Sequence, residues 1–177
     1  MPNDVDIKPD MSCVPYRRKG LYFILTAPFL VFLILVFIYL WSVSFILPLV
    51  FLAFYLAMCY FQTYCCAYQD CPYIGGFCPA VAGIMPASLL AKLIYSRKQI
   101  VKSKRSFEIY ATLAIIAWLG LIVFPLFWIA GLGIPLAVGY VACHAIYYMI
   151  FGLTICPACA IRHTCPGGKL QSMVLRR

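Results

Sequence analysis

The stretch LYFILTAPFLVFLILVFIYLW, residues 21–41, carries no charged side chain over its whole length. The hydrocarbon core of a bilayer is about 30 Å thick and takes roughly 20 helical residues to cross. A helix that is apolar all round has no polar face to offer water, so this segment is expected to span a membrane. Three more runs share the property: Phe45–Tyr64, Ile109–Ile129 and Leu132–Leu153, none of which holds Asp, Glu, Lys or Arg.

The remainder of the 177-residue chain fits the same reading. Hydrophobic residues make up 65% of it, charged residues 11%, and the mean hydropathy is +0.96. A soluble domain would carry about 25% charged residues. That excludes an ordinary soluble enzyme, a disordered chain and a secreted disulfide scaffold. The expected fold is an all-α integral membrane protein with four transmembrane helices arranged as two helical hairpins. The turns around Ser42–Ser44 and Gly131–Gly133 are only a few residues long. Residues 1–177 form a single membrane domain: an N-terminal segment 1–20, a hairpin 21–64, a Cys-rich segment with an interfacial helix 65–106, a second hairpin 107–153, and a Cys-rich C-terminal segment 154–177. Pro48, Pro125 and Pro135 lie near span ends; Pro28 does not, and is expected to disturb the first helix.

Basic residues set the orientation. Lys8, Arg17, Arg18 and Lys19 precede span one. Lys92, Arg97, Lys98, Lys102, Lys104 and Arg105 separate spans two and three, and Arg162, Lys169, Arg176 and Arg177 follow span four. All 14 Lys and Arg thus belong to one face, against 5 Asp and Glu in the chain. By the positive-inside rule that face is cytoplasmic, with both termini inside and the protein in the cell membrane. The first apolar run is too long for a cleavable signal, and no small-x-small site closes it, so it is expected to persist as a signal anchor. Between Pro86 and Lys104, Leu89, Leu90, Leu93, Ile94, Ile100 and Val101 recur at helical spacing, with Lys92, Ser96 and Gln99 on other faces. This describes an amphipathic helix in the cytoplasmic interface whose basic residues meet lipid headgroups. The basic excess is explained by topology, and nucleic acid is not an expected partner.

Ten cysteines are the second anomaly. Cys13, Cys65, Cys66, Cys71, Cys78, Cys156, Cys159 and Cys165 fall at the basic face. Cys59 and Cys143 lie within spans and are expected to pack there as small hydrophobes. Eight cytoplasmic thiols argue against structural disulfides and for reactive or metal-bound thiolates. Cys156-x-x-Cys159 has the spacing that lets two sulfurs reach one metal, though it occurs widely. Cys71, Cys78, Cys156 and Cys165 are each followed by proline, as in the closing Cys-Pro of ferredoxin-type iron–sulfur runs. The glycine pairs at 75–76 and 167–168 allow backbone N–H groups close to sulfur.

Cys71-Pro-Tyr-Ile-Gly-Gly also echoes Cys165-Pro-Gly-Gly, so the two halves are a candidate parallel repeat about an axis along the membrane normal. Asp70 is a candidate hard ligand or a solvated interface residue. His163 could complete a Cys₃His site or be an exposed interface histidine. His144 is an ionisable residue inside span four and therefore a functional candidate. With no second intramembrane histidine, a bis-histidine haem within one chain is excluded. No P-loop, nucleophile elbow, H-E-x-x-H or carboxylate pair is present.

The expected role is an iron–sulfur electron-transfer subunit of a membrane oxidoreductase complex, with its clusters at the cytoplasmic face. The metal-ligand candidates are Cys65 or Cys66 with Cys71 and Cys78, and Cys156, Cys159 and Cys165 with Cys13, plus His163. Partner subunits or a cytoplasmic redox protein would supply the electrons. The rivals are a soft-metal carrier for Cu, Hg or Zn, and a structural subunit with palmitoylated or zinc-bound cysteines. The charge bias yields a direct expectation: a membrane-impermeant thiol reagent added to intact cells labels neither Cys71 nor Cys165, and mass spectrometry of the isolated protein reads the outcome.

Overall fold

A computed structural model describes residues 10–79, 85–95, 103–162 and 165. Among these residues the chain is entirely helical, with five helices and no strand. They are α1 (Lys19–Val43), α2 (Ile46–Tyr68), α3 (Met85–Tyr95), α4 (Lys104–Ala130) and α5 (Ile134–Thr154). Four of them (α1, α2, α4 and α5) are long and apolar enough to cross a membrane. This is the architecture of a multi-pass membrane protein. Short 3-10 turns at Met11–Cys13 and Cys156–Ala158 flank the bundle.

The helices overrun the apolar windows at the ends that meet the polar segments. Residues 65–68 contain no breaker, so α2 continues to Tyr68 and carries Cys65 and Cys66 in its last turns. At the start of α4, Ser103 in extended conformation accepts a hydrogen bond from the Ser106 N–H, an N-cap that begins the helix before the apolar run does. Pro28 lies within α1, which remains a single helix across it. The described part of the expected amphipathic helix is α3; residues 96–102 of that expectation lie outside the described residues.

The helices α1, α4 and α5 each bury one narrow stripe, whereas α2 is buried all round over Thr63–Ala67. On α1 the stripe is Tyr22, Thr26, Phe29, Leu33, Val36 and Leu40, and on α5 Tyr140, His144, Tyr147 and Phe151. Steps of three and four residues keep these side chains on one face. The other faces are fully exposed and equally apolar, as at Ile24 and Ile134. Lipid tails give no hydrophobic reason to bury Leu rather than expose it, so packing and interhelical hydrogen bonds decide which face turns inward. Phe29 stacks on Tyr147 with ring centroids 3.8 Å apart, and Thr26 Oγ1 lies 3.5 Å from the Tyr147 hydroxyl. Trp118 Nε1 donates to the Tyr148 hydroxyl at 2.9 Å, and the Tyr140 hydroxyl donates to the Ile122 carbonyl at 3.0 Å. Such bonds average about 0.6 kcal/mol in membranes. They fix register more than they supply stability.

The most extensive helix contact is α2 against α4, across the two halves of the chain. Ala114, Ala117 and Gly120 of α4 are small enough for the helices to approach, and aromatic pairs fill the flanks. Tyr64 stacks on Tyr110 at 4.4 Å, and Tyr68 on Phe107 at 4.6 Å. At Gly120 a Cβ would fall 2.5 Å from the Phe54 ring, which itself packs near Phe124.

α3 lies beside α2 with its small residues buried: Ala87, Ser88 and Ala91. Thr63 Oγ1 donates to the Cys59 carbonyl of its own helix at 2.7 Å and lies 3.4 Å from the Ala87 carbonyl of α3. Leu89, Leu93 and Ile94 point outward.

A Gly120→Val substitution should lower the stability of the detergent-solubilised protein by about 1–3 kcal/mol, the usual cost of overpacking. Adding Phe54→Ala should recover part of that loss, a non-additivity that thermal melts of the two single variants and the double variant would read. Gly139→Ala, where a Cβ meets nothing within 4 Å, serves as the neutral control.

Candidate thiol site

Three chain segments meet at the end of the bundle where α2 and α5 finish and α1 and α4 begin. Tyr73 joins them. Its hydroxyl donates to the Cys13 carbonyl at 3.0 Å and accepts from the Ala160 N–H at 3.2 Å. Nearby, the Asp10 N–H donates to the Ala160 carbonyl at 2.9 Å, and the Tyr16 hydroxyl donates to the Ile155 carbonyl at 3.4 Å. Arg18 Nη1 donates to the Thr154 carbonyl at 2.9 Å, capping the end of α5. Arg162 pairs with Asp10 at 3.2 Å, both about one-third exposed. An ion pair so placed contributes little. The hydroxyl and backbone N–H of Ser12, with Arg162 adding a smaller effect, hold the Asp10 carboxyl below its usual range.

The turn that ends α2 organises the first cysteine segment. The Cys71 N–H bonds the Cys66 carbonyl at 3.1 Å, and the Asp70 N–H bonds the Ala67 carbonyl at 3.3 Å. Asp70 sits at φ 47, the left-handed position of a Schellman cap. Asp tolerates that conformation better than most side chains. In this motif the residue after the left-handed position meets the third residue from the helix end. Here those two are Cys71 and Cys66, and their side chains are hydrogen-bonded to each other. Asp70, a ligand candidate from its sequence position, is exposed and serves as the turn residue. The following loop reaches α3 through Gly75, whose N–H donates to the Ser88 carbonyl at 3.2 Å. Gly75 has φ +75, and a Cβ there would fall 2.5 Å from Lys92 Cδ. The stem of Lys92 thus lies across the loop.

Cys165 lies within electrostatic reach of Cys65, Cys156 and Cys159, and Cys156 and Cys159 lie within reach of each other. Cys66 is similarly close to Cys71, Cys78 and Cys65, and Cys71 to Cys159. Seven thiols therefore form one connected neighbourhood. Its grouping differs from the division that chain order suggests. Cys65, from α2, neighbours Cys165, whereas the Cys13 sulfur turns to Asp10 Oδ2 at 3.7 Å. Among the described residues no three His, Cys, Asp or Glu converge as they would on a single metal ion, and every cysteine is a free thiol. His163 lies outside the described residues.

Away from this end, Cys59 is buried within α2. Cys143 is exposed on α5, which corrects the expectation that it packs inside the bundle; its neighbour His144 occupies the inward position instead. His144 Nδ1 lies 3.0 Å from the Tyr140 carbonyl, and the ring meets Phe29 and Phe32 edge-on.

Hydrogen bonds from the Cys66 thiol and the Tyr73 N–H lower the pKa of Cys71. Burial pushes Cys159 up to about 12, and likewise Tyr73 and Tyr16. No family model, no curated protein and no solved structure matches this chain.

Groups with raised pKa values stabilise the fold fully below their unfolded values of about 9 for Cys and about 10 for Tyr. That stability is lost as pH rises through about 12, so thermal melts should fall steeply over the alkaline range. Tyr73→Phe removes the hydroxyl and leaves the Cys13 carbonyl and the Ala160 N–H without that partner. It should cost about 1–3 kcal/mol and speed alkylation of Cys13 and Cys159, read by timed labelling and peptide mass mapping.

Proposed function

We propose that this protein holds an iron–sulfur centre at the cytoplasmic end of its bundle and passes electrons between a cytoplasmic partner and the membrane. The observation that carries the reading is that Cys65, Cys156 and Cys159, from two distant segments, each lie within electrostatic reach of Cys165. Four cysteines are the usual ligand set of a [2Fe–2S] or [4Fe–4S] centre. A polynuclear centre, whose own iron and sulfide atoms span the gap, asks less convergence of its thiols than a single metal ion does. A single structural zinc would want closer convergence.

The surroundings support the same assignment. The Ile161 N–H bonds the Cys159 sulfur, the kind of backbone contact that tunes cluster potentials. Tyr16 and Tyr73, both buried, lie within electrostatic reach of Cys159. Iron binding requires the thiols to be deprotonated, so the centre would release protons on assembly and displace the neutral form that burial favours at Cys159. The cytoplasmic orientation, the pairing of spans into two hairpins and a twofold relation between halves belong to this proposal. They are supported by the one-sided distribution of Lys and Arg and by both Cys segments lying at one end.

Protein purified without oxygen should be brown and contain iron with acid-labile sulfide. Cys159→Ser and Cys165→Ser should each lose most of that iron while Cys143→Ser keeps it, measured by elemental analysis against protein concentration. Colourless wild-type protein with stoichiometric zinc would overturn the proposal in favour of a structural site.

A further inference from the structure

Two of the remaining thiols do not need a metal to have chemistry. Cys66 and Cys71 are in side-chain contact, and the backbone bond between them at 3.1 Å belongs to the helix cap and not to a mobile loop. A disulfide forms without strain only when the two Cα atoms are already close and the Cβ vectors face each other. The Schellman cap folds Cys71 back onto Cys66 through its backbone bond, and contact between the side chains at these two positions frequently accompanies the motif. We propose that Cys66 and Cys71 are a two-electron dithiol–disulfide couple, oxidised by a small hydroperoxide and closed across the C-terminal turn of α2.

The chemistry is the same whichever sulfur reacts first. In the first step one of the two sulfurs attacks one peroxide oxygen; the S–O bond forms, the O–O bond breaks, and water leaves after taking up a proton. In the second, the other sulfur attacks the oxidised one; the S–S bond forms, the S–O bond breaks, and a second water leaves. Two thiols and one hydrogen peroxide become one disulfide and two waters. A dithiol reductant reverses the oxidation.

Burial selects the oxidant. Cys66 and Cys71 are 6% and 5% exposed, so hydrogen peroxide reaches them while a bulky disulfide such as oxidised glutathione is excluded. The couple goes beyond the iron–sulfur reading, since neither sulfur belongs to the four assigned to the cluster.

The test uses the full-length protein in detergent, with iron measured before and after treatment. Hydrogen peroxide at sub-stoichiometric dose, followed by alkylation and peptide mapping, should yield the Cys66–Cys71 bridge ahead of any other cysteine product, and dithiothreitol should remove it. Oxidised glutathione should form it far more slowly. In Cys66→Ser and in Cys71→Ser the remaining cysteine of the pair should form no bridge within this turn. Cys78→Ser, which removes a neighbouring thiol, should leave the bridge intact. A first bridge from Cys71 to Cys78 or Cys159 would overturn the proposal. Iron-free protein that still forms the bridge would sink the cluster and keep the couple; iron-loaded protein that never forms it would do the reverse.

Discussion

The hydroxyl of Tyr73 is the interaction on which the thiol end depends. It donates to the Cys13 carbonyl and accepts from the Ala160 N–H, and so bonds three segments that chain order separates by more than the length of two spans. A buried backbone N–H or carbonyl left without a partner costs more than a formed bond returns. One oxygen therefore closes two obligations at once. With the segments held together, Cys159 can stand beside Cys71, and Tyr16 can cover both Tyr73 and Phe77.

Burial and hydrogen bonding divide the thiols chemically. Where desolvation dominates, as at Cys159, the neutral thiol is favoured until something of opposite charge is bound. Where a neighbouring thiol and a backbone N–H bond the sulfur, as at Cys71, the charged form is less costly than burial alone would make it. The same end of the bundle thus offers a set of thiols that a metal would have to ionise and one that its own partners prepare. That difference arises from local geometry within a few residues of one helix cap.

Several features were legible in the residues alone. Charge-free runs marked the four long helices, and the one-sided Lys and Arg placed both Cys segments at a common end. The orientation of each helix about its own axis was not legible, because lipid-facing Ile24 and core-facing Leu33 are alike to any hydropathy scale. Polar residues within the spans were the better guide: Thr26 and His144 both face inward. Cys143 was misread for this reason, since it sits beside His144 and only one of two successive residues can occupy the inward stripe. The end of α2 was set too early because apolar periodicity stops before the helix does. The neighbourhood of Cys65 and Cys165 was beyond reach, because it depends on a chain reversal after α5 that no local pattern encodes.

The bond from Arg18 to the Thr154 carbonyl also bears on how the protein is made. Arg18 directly precedes α1, and a positive charge beside a span biases how that span enters a bilayer. Its hydrogen-bonding partner lies at the end of α5, 136 residues later. One side chain is thus placed to act both on the insertion of α1 and on the docking of α5. A chain that lacks α5 lacks the Thr154 carbonyl, so this clasp closes only after all four long helices have been made.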